Sequence, residues 1–83
     1  METRVAVISI IVRKNGEVEE LNALLHEYSE YIIGRMGLPY REKNVSIISV
    51  VLDAPQDDIA ALSGKLGNLP DISVKTAYAN TEA

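Results

Sequence analysis

His26 is the only histidine of the chain, and Glu30 follows four residues later, a separation that sets both on one turn of a helix. Such a pair can supply two ligands to a divalent cation. Two are too few for a closed site, so a metal would need a second copy of the chain, and a solvated pair is the simpler reading. No metal is assigned on this basis. Arg35 has Gly34 beside it and Gly37 two positions on. On a sheet face that another molecule covers, a guanidinium needs a carboxylate, phosphate or carbonyl partner. The plainer alternative is a rim arginine paired with a neighbour's acid. Ser63-Gly-Lys-Leu-Gly67 adds small residues that either let a helix lie close against its neighbour or expose backbone amides to a ligand. Lys65 near a helix end is explained by the helix dipole or by ligand contact. Arg35, Ser63, Gly64 and Lys65 therefore form the candidate ligand-binding set, and the residues name no cofactor. The glycines do not make a phosphate loop, because they close a helix instead of opening one.

Other chemistry is missing. The chain has no cysteine, which removes disulfides, thiolate metal sites and thiol nucleophiles. No serine stands with a histidine and an acid in a workable arrangement, and no pair of carboxylates falls on an apolar element where a raised pKa would be expected. The chain is expected not to be an enzyme. With 12 acidic against 8 basic residues the net charge is −4, which argues against a nucleic-acid surface. A length of 83 residues suits one domain, 1–83. Its apolar runs fall far short of the ~20 residues a membrane span needs, and Arg4 leads into a strand-like run without a signal-peptide pattern. A cytoplasmic location is expected.

The elements that must position these residues follow from periodicity. Arg4 to Val12 and Val45 to Leu52 are rich in β-branched residues and apolar at both parities, as central strands covered on both faces are. Between them, Arg13-Lys-Asn-Gly16 makes a turn in which Asn15 or Gly16 caps a helix, with Glu17, Glu19 and Glu20 in its first turn. That helix runs to about Tyr31, its apolar stripe being Val18, Leu21, Leu25, Tyr28 and Ile32, flanked by Leu24 and Tyr31. Ile32 to Tyr40 alternates as a weak edge strand, and Asn44 suits a left-handed turn position. Asp53-Ala-Pro55 starts a second helix with Ile59, Leu62 and Leu66 buried and Ser63 alongside. A final strand spans Ser73 to Ala79, and the residues from Asn80 onward are expected to fray.

The order β-α-β-β-α-β predicts an α+β, ferredoxin-like sandwich with two helices on one face of a four-stranded antiparallel sheet. One face is then left open. The pattern puts Ile8, Ile10, Ile48 and Val50 under the helices and Val7, Ser9, Ile11, Ile47, Ser49 and Val51 on the open side. Alternation in the second strand assigns Met36 and Leu38 to the core and Ile33 and Arg35 to the open face, with Lys75 at the opposite edge. An aliphatic centre with two serines and a cation at either edge has the anatomy of an interface. A homodimer or homotetramer through this face is expected.

The runs Leu24-Leu-His-Glu-Tyr-Ser29, Arg35-Met-Gly-Leu-Pro-Tyr-Arg-Glu42 and Ala61-Leu-Ser-Gly-Lys-Leu-Gly67, with Val74-Lys75-Thr76, resemble the iron-only hydrogenase system regulators. These are short ACT-like proteins related in fold to the ligand-binding part of nickel-responsive repressors. The likeness spans nearly the whole chain. Asp71 departs from it, standing where the family's glycine is expected before the last strand. What the resemblance implies is a regulatory protein of a hydrogenase system that senses a small ligand as an oligomer. The alternative is an interaction module that docks a hydrogenase-associated protein through its sheet. It carries over no established ligand and no catalytic residue. Four strands and two helices use the whole chain, so direct DNA reading is not expected.

Overall fold

The computed structural model of the chain describes residues 2–13, 16 and 18–80. The turn and cap assigned to Lys14 and Asn15, the first-turn position of Glu17 and the fraying of 81–83 lie outside the described residues.

Four strands, β1 (Arg4–Arg13), β2 (Ile32–Tyr40), β3 (Val45–Ala54) and β4 (Ile72–Tyr78), form one antiparallel sheet in the order β2-β3-β1-β4. Helix α1 (Val18–Glu27) joins the first two strands and α2 (Gln56–Gly67) joins the last two. This is the ferredoxin-like arrangement. The two strands apolar at both parities are the central ones, because each has a neighbour on both edges and only their side chains are screened along the full ladder.

Period-two alternation sets the core. Ala6, Ile8, Ile10 and Val12 of β1 and Ile48, Val50, Leu52 and Ala54 of β3 are buried, together with Leu21 and Leu25 of α1 and Ile59, Leu62 and Leu66 of α2. Val18, assigned to the α1 stripe, is half exposed. The α-helix ends at Glu27, and Ser29–Tyr31 tightens into a 3₁₀ turn, so the helical stretch up to Tyr31 is built in two parts. Asp57 and Asp58 lie in the first turn of α2 and Lys65 in its last, each favourable with the helix dipole. Pro55 stands just before α2, and its carbonyl accepts the Asp58 and Ile59 N–H groups at 3.0 and 3.1 Å. Asn44 adopts φ 54 and turns the chain between β2 and β3.

The edge strand β2 corrects the sequence reading. Ile32 pairs with Leu52 on the helix side, but the next partner of β3 is taken by Gly34, opposite Val51, so the register shifts and Ile33 is an extra residue. Every later residue of β2 changes side. Met36 lies opposite Ser49 and Leu38 opposite Ile47, on the open face, where they are 68% and 58% exposed. Arg35 lies opposite Val50, on the helix side. The expected core role of Met36 and Leu38 and the open-face position of Arg35 are thus reversed, because alternation holds only while the pairing stays in register.

Candidate functional site

The open face of the sheet is built by direct cross-strand pairs. Val7 faces Val51, Ser9 faces Ser49 and Ile11 faces Ile47 across the β1–β3 ladder. These are the six residues assigned to an interface, and they form one contiguous surface. The register shift in β2 extends it with Gly34, Met36, Leu38 and Tyr40, and β4 contributes Ser73, Lys75 and Ala77 opposite Ile11, Ser9 and Val7. Arg13 and Asp53 continue the open-face parity of β1 and β3 at opposite ends of the ladder. Ile11 and Ile47 are more than two-fifths exposed. The face thus has Val7, Val51, Ile11 and Ile47 in its two central strands, Ser9 and Ser49 between them, and Ser73 and Lys75 along its β4 edge.

The candidate ligand residues do not come together. Ser63 is half-buried on α2, its hydroxyl 2.7 Å from that of Thr76 on β4. Lys65 bridges the helices, donating to the Tyr28 hydroxyl at 3.0 Å and standing 3.4 Å from Glu27 Oε2, with its ammonium 5.2 Å from the Tyr28 ring centre. The Tyr28 hydroxyl as acceptor, followed by the Glu27 charge, raises the Lys65 pKa above its ordinary value. A Cβ added at Gly64 would meet open space, so close packing does not require glycine there. Arg35, on the other edge of the sheet, donates from Nη2 to Asn22 Oδ1 of α1 at 3.1 Å. Ser63 and Lys65 therefore have structural partners, whereas Arg35 belongs to a separate region beside α1. Among the described residues no three His, Asp or Glu side chains group in a way that could hold a metal.

Asp71 occupies a left-handed position at φ 60, and its carbonyl accepts the Arg13 N–H at 2.9 Å. Glycine would take this conformation without steric cost.

The TM1266-like family model, provisionally described as an iron-only hydrogenase system regulator, matches residues 4–76, from β1 into β4. The chain belongs to this family. Among solved structures, that of protein TM1266 from Thermotoga maritima is similar, at 41% identity and a TM-score of 0.91, over 95% of this chain and 100% of that one. No curated protein matches. The resemblance read from the sequence is thus borne out, and the family's ferredoxin-like frame is the one seen here. No helix of the described residues is long and apolar enough to cross a membrane.

Reading the sequence missed Met36 and Leu38 as open-face residues and Asn22 as the partner of Arg35. The glycine at 34 was the one local hint, since glycine inside a strand often marks a bulge.

Proposed function

We propose that this regulator acts without catalysis, as a homo-oligomer assembled through its open sheet face, and that it responds to a small ligand. The observation that carries the reading is the open face itself: Val7, Ile11, Ile47 and Val51 at its centre, extended by Met36 and Leu38, with no helix or strand of the described residues over them. Covering this surface removes apolar area from water at about 25 cal/mol per Å², before the cost of association.

A second copy is the occupant that the charges favour. Arg13 and Asp53 end the surface at opposite ends of the same ladder. Two copies laid face to face with strands antiparallel bring each arginine over the other's aspartate, so the surface is complementary to itself, as a two-fold interface requires.

Native mass spectrometry of protein purified gently from its own host tests both halves of the reading. A dimer or tetramer carrying a retained small molecule is expected. A monomer at micromolar concentration overturns the assembly, and a stable complex with a hydrogenase-associated protein in place of self-association replaces it with a docking module.

A further inference from the structure

Asn22, His26 and Ser29 follow one another at four- and three-residue steps along α1 and the 3₁₀ turn that continues it, forming a stripe beside the buried one. Arg35 faces this stripe because the register shift at Ile33 turns it to the helix side of β2. With Leu25 and Ile32, these residues line a pocket of about 330 Å³. That is the small end of the range for ligand sites.

Arg35 is the charged residue of the described lining. Among the described residues Arg35 and His26 are the ionisable groups of this lining, and no acid contributes to it. The guanidinium has five N–H donors and donates to Asn22 Oδ1 at 3.1 Å, which leaves donors over. Among the described residues the one ion pair is Lys65 with Glu27, so Arg35 has no carboxylate partner. In a chain of net charge −4, a cationic pocket without an internal counter-ion is a place for an external one. The planar fork of arginine matches a carboxylate, and imidazole and hydroxyl donors beside it add hydrogen bonds. Leu25 and Ile32 supply an apolar wall next to those donors.

We propose that this pocket binds a small carboxylate with a short apolar stem. The carboxylate oxygens take donors of Arg35, His26 and Ser29, and the stem lies against Leu25 and Ile32. The proposal deepens the ligand-sensing half of the function given above and rests on that reading for its purpose. Arg35 in the pocket and Met36 on the association surface are consecutive residues of one strand.

The test is a titration of ¹⁵N-labelled protein with acetate, butyrate and inorganic phosphate, followed through the Asn22 side-chain amide and the Arg35 Nε–H. Saturable shifts at both groups are expected with the carboxylates, butyrate binding more tightly than acetate. Arg35→Gln should weaken butyrate binding by about tenfold or more. Lys75→Gln, a cation lost from the other side of the sheet, should leave it unchanged. No saturable shift with either carboxylate, or wild-type affinity in Arg35→Gln, overturns the proposal; so does phosphate binding more tightly than butyrate. The mass of the same samples separates this from the assembly. An oligomer that ignores butyrate sinks the pocket alone, and a monomer that binds it sinks the assembly alone.

Discussion

The Ser63 hydroxyl on α2 and the Thr76 hydroxyl on β4 lie 2.7 Å apart, the one side-chain hydrogen bond described between the second helix and the edge strand beneath it. Both residues are half-buried, and Thr76 stands opposite Ile8 on the helix side of the sheet. Ser63→Ala leaves the Thr76 hydroxyl without that partner and should cost about 1 kcal/mol, as should Thr76→Val. Together the two substitutions remove both polar groups and should cost less than the sum. Urea midpoints of the three variants check this, and strictly additive losses would show that the pair is not coupled.

Adjacent residues of β3 should fail in different ways. Ile47 is on the open face and Ile48 is buried against the helices. Ile47→Asp should abolish assembly and keep the helical circular dichroism, whereas Ile48→Asp, by burying an unpaired charge, should unfold the subunit. Leu38→Asp should behave like Ile47→Asp, because the two side chains pair across β2 and β3. Light scattering beside circular dichroism reads all three. Unfolding of Leu38→Asp would contradict its place on the surface.

The difference between β3 and β2 also marks where the sequence could be read. In β1 and β3, unbroken alternation over ten residues each, anchored by Ile8, Ile10 and Val50 in the core, made every side assignment legible. In β2 a single extra residue at Ile33 reversed Arg35, Met36 and Leu38, and Gly34, the one residue type there that hints at a bulge, does not fix where the shift falls. The open sheet face was therefore legible in the sequence through its central residues and not at its β2 edge. The pocket was hidden for the same reason, since Asn22 and Arg35 meet only after the shift.

Alkaline pH should weaken the fold through two groups that hold their protons more firmly when folded. Hydrogen bonding to Tyr28 and the charge of Glu27 raise the Lys65 pKa, and the charge of Asp58, then burial, raises that of Tyr31. A raised folded pKa means that the folded chain keeps a proton the unfolded chain has released. The contribution is thus complete below the unfolded values near pH ~10 and is lost as pH rises through the folded ones. Between about pH 8 and about pH 11 the wild type should lose more stability than a Lys65→Gln, Tyr31→Phe double variant. Both groups are solvent-screened, so the difference is small. Equal losses would remove the two groups as its source.

Asp71→Gly should stabilise the chain. The left-handed backbone at φ 60 is held in place by the Arg13 N–H bond to its carbonyl, so relaxation to another conformation would break the link between β1 and the turn before β4. Glycine removes a steric cost of about 1 kcal/mol or less for aspartate, partly offset by its freedom in the unfolded chain. Asp71→Ala should destabilise by a similar amount. Melting temperatures that move the other way would show that the aspartate side chain contributes more than its backbone strain costs.

The strand order also governs how this chain is made. β1 precedes the other three strands in the chain, yet both of its partners, β3 and β4, are encoded beyond residue 44, and β2 pairs with β3 alone. Until β3 has been made, this aliphatic strand therefore has neither edge paired, and its two apolar faces wait on α1 alone for cover. A nascent segment of this kind is prone to contacts with other chains. Folding has to be a late and concerted event, and a chain released short of β4 would keep the β1 edge open to whatever strand it meets first.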